Sequence, residues 1–371
     1  MRKILKVIAL VLTAMMMLAV LAGCGQNPAA EQKEGTKSAA GETADQAGKE
    51  ETKKDSAQPA EKKLRLGLSL ATLQEERWVR DKEKIEAECE KLGIDLKVQV
   101  ANLDAAKQDA QCENLIAQGI DVLIIAPHDA KAAAAIVEKA HKAGVKVISY
   151  DRLVMDSDVD VYISFDNVKV GEIQGKYLTE KVDKGNIVFL SGAPTDNNAK
   201  LFKEGAAKYI MPKVEKGDYK IVMEQPVIDW KPDNAMKLME NALTANKNDI
   251  QGVLAPNDGT AGGCIQALAA QGLAGKVVVT GQDAELAAAK RIVEGTQSMT
   301  VFKDTRLLGE AAVQCAIKMV KGEDLGINGK VNNDKIDVPS ILLTPVAVDK
   351  TNIDEVLINS GYLKKEDVYK N

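Results

Sequence analysis

The sequence predicts a doubly wound α/β protein built on parallel sheets. Three features carry that reading: from Leu64 onward short β-branched runs alternate with longer amphipathic stretches, glycines stand where the helices should end, and nearly every run leads at once into a short polar cluster. Alternation of this kind means βαβ units, because neighbouring parallel strands need a crossover between them.

The runs expected to be strands are 64–70, 96–100, 122–126, 145–149, 187–190, 221–223, 253–255, 277–280 and 299–302. Between them a helical period recurs at Trp78, Ile85, Cys89 and Leu92, at Ile136, Val137 and Ala140, and at Val313, Ile317 and Val320. Gly93, Gly119, Gly144 and Gly272 occupy the expected helix C-termini. The part of the 371-residue chain after Lys63 is rich in Val, Ile, Leu and Ala, enough apolar matter for two packed domains.

The opening of the chain reads as a targeting signal. Arg2, Lys3 and Lys6 precede an uncharged apolar stretch over 7–22 that is short for a bilayer span. It ends in Leu21-Ala22-Gly23-Cys24, which resembles the lipobox of bacterial lipoproteins, so 1–23 is expected to be a cleaved signal and Cys24 the lipidated residue. Two acyl chains make a lasting anchor where one is marginal. Residues 24–63 are Ala, Gly, Glu, Gln, Lys, Thr and Ser with almost no large apolar side chain, a composition expected to stay a solvated tether.

The balance of 49 basic and 54 acidic residues argues against a nucleic-acid partner. Cys89, Cys112, Cys264 and Cys315 show no CxxC and no histidine at ligand spacing, so they read as buried free thiols. Asp156, Asp158 and Asp160 form a DxDxD run that lacks the glycine and terminal glutamate of a calcium loop, and reads as a solvated turn rather than a metal site. His128 and His141 have no obvious nucleophile beside them, and no GxSxG, phosphate loop or GxGxxG follows a strand. No catalytic residue, metal or cofactor is expected.

The polar clusters carry the functional reading. Ser69-Leu70 leads to Glu75, Glu76, Arg77 and Trp78, Ala126 to Pro127, His128 and Asp129, and Tyr150 to Asp151 and Arg152. Gly192 leads to Asp196, Asn197 and Asn198, Ala255 to Asn257 and Asp258, Gly281 to Gln282 and Asp283, and Phe302 to Lys303 and Asp304. Ligands of open parallel sheets bind outside the carboxyl ends of the strands, where these clusters converge. Asp and Asn can bond adjacent hydroxyls, Arg and Lys donate, and an aromatic face such as Trp78 or Trp230 can cover the C–H side of a sugar ring. That is what a neutral polyol requires of a closed site.

The stretches Glu76-Arg77-Trp78, Tyr150-Asp151-Arg152, Tyr162-Ile163-Ser164-Phe165-Asp166-Asn167, Asp196-Asn197-Asn198-Ala199-Lys200-Leu201-Phe202, Glu240-Asn241-Ala242-Leu243-Thr244-Ala245-Asn246 and Gly281-Gln282-Asp283-Ala284 closely resemble the D-xylose receptors of bacterial ABC importers. These belong to the type I periplasmic-binding-protein family, along with ribose and glucose/galactose receptors. The resemblance runs from about 64 to 351 and implies two Rossmann-like lobes joined by three crossover strands, closing on a sugar. It implies an N-terminal lobe of 64–165 plus 303–335, a C-terminal lobe of 166–302 plus 336–371, and crossovers near 165–167, 301–304 and 334–338. Carried over by position, Arg77, Trp78, Asp151 and Arg152 would bind sugar from the first lobe. Asn197 or Asn198, Trp230, Asn257 and Asp283 would bind it from the second, with Lys303 where the chain crosses back. Adjacent asparagines cannot be separated by motif. The resemblance implies an extracytoplasmic receptor that binds D-xylose or a similar monosaccharide and delivers it to an ABC permease with its ATPase subunits. The expected lipid anchor, which rests on Cys24 and its flanks, departs from the freely periplasmic form of the family, and the protein is expected to be a monomer. The alternatives are a receptor for ribose, glucose or galactose, and a sugar sensor for a chemoreceptor or sensor kinase.

Overall fold

The computed structural model describes residues 63–370, so the expected signal, Cys24 and all but the last residue of the expected tether lie outside the described residues. Eight elements open the first lobe: β1 (Arg65–Leu70), α1 (Glu76–Lys91), β2 (Asp95–Val100), α2 (Ala105–Ala117), β3 (Val122–Ala126), α3 (Ala134–Lys142), β4 (Lys146–Tyr150) and β5 (Val161–Phe165). The second lobe follows with α4 (Asn167–Lys181), β6 (Gly185–Ser191), α5 (Asn197–Glu215), β7 (Tyr219–Pro226), α6 (Pro232–Ala245), β8 (Gly252–Leu254), α7 (Asp258–Ala270), β9 (Val278–Val279), α8 (Leu286–Glu294) and β10 (Met299–Phe302). The chain then crosses back through α9 (Thr305–Lys321), β11 (Gly329–Asn332) and β12 (Asp337–Leu343), and ends with β13 (Val346–Asp349) and α10 (Lys365–Val368).

The first sheet has seven strands in the order β11-β12-β5-β4-β3-β1-β2, parallel except for the β11–β12 edge pair. The second has four parallel strands in the order β7-β6-β8-β9, beside an antiparallel β10–β13 pair. Strands β1, β3, β4 and β5 are buried on both faces by helices, which is why they read as near-continuous apolar runs. Each face of the first sheet has its own core, around Leu68, Ile124 and Phe165 on one side and Leu123, Val147 and Tyr162 on the other.

Strand β12 corrects the expected lobe boundary. It lies in the first sheet, paired in parallel with β5 from Ser340 opposite Tyr162 to Leu343 opposite Phe165, whereas the sequence reading gave everything after 335 to the second lobe. The third passage between lobes therefore runs from β12 to β13 through 344–345, not at 334–338. The reason is edge pairing: without β12 the backbone groups of β5 on the side away from β4 would face no partner.

Many of the polar residues that end the strands also start helices. The side chains of Asp104, Asp166, Asp196, Asn257 and Asp304 each accept a backbone N–H of the following helix, and Asn257 forms a reciprocal capping box with Thr260. Cys89, Cys112, Cys264 and Cys315 are buried and unpaired. Of the DxDxD run only Asp156 and Asp158 are exposed; Asp160 accepts from Val147 N and Lys146 Nζ at 2.9 Å and pairs with His141 Nε2 at 2.8 Å, which ties it to β4 and α3 rather than to solvent. Among the described residues no helix is long and apolar enough to cross a membrane.

Helices α4 and α5 meet backbone to backbone, and this contact aims α5 at the cleft. A Cβ on Gly171 would lie 1.9 Å from Phe202 O, and one on Gly205 would lie 2.1 Å from Val168 O. Gly205→Ala should therefore push the helices apart and destabilise the fold by about 1–3 kcal/mol, the usual cost of overpacking. A lower urea midpoint at unchanged m-value would register it.

Candidate functional site

The carboxyl ends of both sheets face one another across a cavity with about 290 Å³ of empty space, part of it open to solvent. Nine of the ten residues expected to bind ligand line it: Arg77, Trp78, Asp151, Arg152, Asn198, Trp230, Asn257, Asp283 and Lys303. None of the nine is more than 6% exposed. The tenth, Asn197, lines a different depression together with Lys200. Both are early residues of α5, and one position rotates a side chain about 100° around a helix, so only Asn198 turns inward. Glu75, Asp196, Phe202 and Gln282 also line the cavity, and sequence reasoning did not select them.

Charged groups from the two lobes interlock. Arg77 donates to Asp81 Oδ2 from Nε and Nη2 at 3.1 and 2.9 Å, and to Asp151 Oδ2 from Nη1 at 2.9 Å. The same Nη1 lies 3.5 Å from Asp283 Oδ1 of the second lobe. Lys303 Nζ stands 3.1 Å from Asp283 Oδ1 and 3.6 Å from Asp151 Oδ2. Arg152 reaches across to Asp196 Oδ2 at 2.9 Å. Asn198 donates from Nδ2 to Asp151 O at 2.9 Å, while its Oδ1 accepts from Tyr162 Oη and Asn167 Nδ2 at 3.1 and 3.0 Å. Its polar atoms thus hold Asp151 in place from the opposite lobe.

Burial alone would push the Asp151 carboxyl up, but Arg77, Lys303 and Arg152 hold it below the usual carboxylate range. Burial raises Asp196 despite Arg152, and raises Asp81 to about 6 despite Arg77 and the Tyr150 hydroxyl. Burial also raises Glu75.

The aromatic groups are fixed by packing. The Arg77 and Arg152 guanidinium carbons lie 4.4 and 5.1 Å from the Trp78 ring centroid, a cation–π arrangement. Trp230 meets Phe202 edge-on at 6.3 Å and packs against Gly192, where a Cβ would fall 1.9 Å from the indole. Asp151, Trp230 and Asp283 all take left-handed backbone angles, with φ of 57, 58 and 96°. Such strain persists only where surroundings enforce it, and it gathers at ligand sites.

Trp230 Nε1, Gln282 Oε1 and Glu75 Oε2 have no protein hydrogen-bond partner although they are buried, and Asp283 Oδ1 has only its charge contacts with Lys303 and Arg77. Each such atom costs about 1–3 kcal/mol unless something pairs with it. Fixed carboxylates, amides and cationic donors beside aromatic faces suit recognition of several adjacent hydroxyls. They make a binding surface rather than a nucleophile with its base.

A family model described as a periplasmic binding protein domain matches residues 66–324. The D-xylose-binding periplasmic proteins of Haemophilus influenzae and Escherichia coli are each 46% identical to this chain, over 83% of its length and 93% of theirs. Among solved structures, a carbohydrate transporter solute binding protein from Chloroflexus aurantiacus in complex with D-glucose superposes with a TM-score of 0.78 at 38% identity, covering 82% of this chain and 98% of that one.

Arg77→Ala would leave Asp81 and Asp151 buried without their shared cation. Removing one partner of a buried pair costs about 3–5 kcal/mol. Chemical denaturation at neutral pH should show a loss of that size, whereas Arg77→Lys should recover only part of it, since a single ammonium cannot reproduce the three directed hydrogen bonds.

Proposed function

The chain belongs to the periplasmic binding protein domain family, and from that premise we propose that it is the extracytoplasmic sugar receptor of an ABC importer, with D-xylose as its ligand. The observation that carries the reading is the shared cavity: Arg77 and Lys303 each stand between Asp151 of one lobe and Asp283 of the other, around buried polar atoms without partners.

In this reading Asp151 and Asp283 accept sugar hydroxyls, and Arg77, Arg152 and Lys303 donate to them. Asn257 uses its Nδ2, because its Oδ1 is held by Thr260. Trp78 and Trp230 supply apolar faces, and Asn198 acts by fixing Asp151. Sugar contacts both lobes only when they are shut, so it shifts the population toward the closed form, which the permease recognises. One chain furnishes the whole site, which supports a monomer. The protein binds and releases its sugar without chemistry.

Membrane attachment belongs to the same proposal. Its support is Leu21-Ala22-Gly23-Cys24, with 24–63 acting as the spacer between anchor and receptor. Cys24→Ser should release the protein from the membrane fraction, and fractionation followed by immunoblotting would read this directly.

D-Xylose is favoured by the two relatives at 46% identity. A second ligand reading, D-glucose, draws on the Chloroflexus protein, which is 38% identical. Titration calorimetry with D-xylose, D-glucose, D-ribose and L-arabinose separates them, and strong glucose binding without xylose binding would overturn the pentose choice. Asp283→Ala should weaken D-xylose binding at least tenfold, about 1.4 kcal/mol. Asp158→Ala, on a solvated turn, should leave it unchanged. Equal effects would overturn the site assignment.

A further inference from the structure

Beside the sugar cavity, the seam between the lobes gathers carboxyl groups around the N-terminus of α8. Glu76 Oε2, on α1 of the first lobe, accepts from Leu286 N at 2.9 Å, the first helical amide of α8 in the second lobe. Its Oε1 pairs with Arg80, whose Nη1 donates to Tyr362 O at 3.3 Å. Just before α8, Glu285 N donates to Asp258 Oδ2 at 3.1 Å. Glu75, from the first lobe, has a buried Oε2 without a partner, and Glu285 is half-buried in the same seam.

Cations are fewer here than carboxyls. Arg80 is paired with Glu76, and Arg291 reaches Asp258 through the backbone oxygen at 2.8 Å. Arg77 and Arg152 face Glu75 but are engaged by Asp81, Asp151 and Asp196, while Lys303 sits on Asp283. Glu285 is faced by Asp258 and Asp283 from its own lobe and by Glu76 and Glu75 from the other, and it forms no ion pair among the described residues. Closing the lobes thus removes water from a seam with surplus negative charge.

We propose that closure on the sugar is coupled to proton uptake in this seam, with Glu285 as the group that takes the proton. The inference rests on the reading of the chain as a sugar receptor whose lobes close. Burial first, and then Asp258, Asp283, Glu76 and Glu75, push Glu285 up to about 8 in the closed form. Opening exposes it to water and removes Glu76 and Glu75, which lowers it, although Asp258 and Asp283 of its own lobe stay beside it. Between the open-form and closed-form values the open form is ionised and the closed form protonated, so closing binds a proton. Sugar affinity is highest below this window, falls as pH rises through it, and levels off above about 8. Asp258, raised to about 7 by burial, differs in kind. Its partners Gln297, Thr300 and Glu285 N belong to its own lobe and stay with it on opening, so it contributes little to the coupling.

The test is calorimetry of D-xylose binding at pH 7 in phosphate and in Tris, whose ionisation enthalpies differ. The expected result is a buffer-dependent enthalpy corresponding to uptake of about one proton, with Kd loosening by up to about tenfold per pH unit between pH 6 and 8. Glu285→Gln, which mimics the protonated acid, should abolish the buffer dependence and bind at pH 8 at least as tightly as the wild type. Equal wild-type enthalpies in both buffers, or an undiminished buffer dependence in Glu285→Gln, would overturn the coupling and leave the receptor reading intact. No binding of xylose, glucose, ribose or arabinose would sink the receptor reading and the coupling with it.

Discussion

The structure depends most on the ion-pair lattice that crosses the cleft. Arg77 and Lys303 each stand within 3.6 Å of both Asp151 and Asp283, which come from different lobes. Every member of that quartet is at least 95% buried, so each charge would be costly alone. Together they satisfy one another, but the geometric margin is thin. Lys303 makes its two contacts at 3.1 and 3.6 Å, and Asp283 Oδ1 has charge neighbours without a well-aligned hydrogen bond. A lattice that pairs charge while leaving hydrogen-bond capacity unused can be completed by inserted hydroxyls. In the proposed reading, that is how sugar affinity and lobe closure become one event.

Backbone geometry explains how so much polarity fits in so little space. Asp151, just after β4, and Asp283, in the loop after β9, take left-handed backbone angles where the chain turns at the cleft. After β6, β8 and β10 the following helix instead starts within a few residues, capped by Asp196, Asn257 and Asp304. Non-glycine residues resist the left-handed conformation at a cost on the order of 1 kcal/mol or more each. Gly192 works the other way: by lacking a Cβ it leaves room for the benzo ring of Trp230 against the loop after β6.

Much of this was legible in the sequence, and the misses have physical causes. Strands β1, β3 and β10 were readable because burial on both faces demands unbroken apolar runs, and their polar followers marked the cleft edge. Strand β12 was not, because Val338 and Ser340 alternate with more exposed residues and the strand is recognisable mainly through its pairing with β5. Choosing between Asn197 and Asn198 needed the phase of α5. Phe202, four residues after Asn198 and also in the cavity, was the available clue. Glu75 and Gln282 stood inside clusters already flagged, but nothing in spacing says which member of a loop turns inward. Asp81 was hidden for a different reason: it acts from beneath, through Arg77, one helical turn along α1.

The charge balance of the cavity bears on what it can hold. Asp151, Asp196 and Asp283 are each paired with Arg77, Arg152 or Lys303, while the fourth acid of the lining, Glu75, has a buried oxygen without a partner, and burial raises both it and Asp196. Asp81 adds a further negative charge behind Arg77, and burial raises it too. An added anionic group, a sugar phosphate or a sugar acid, would enter a closed space whose cations are already engaged, at a steep cost in low dielectric. A neutral polyol disturbs no charge and supplies both donors and acceptors to atoms that lack them. The preference for an uncharged sugar therefore follows from the pairing arithmetic of the site, whereas discrimination among uncharged sugars is left to its shape.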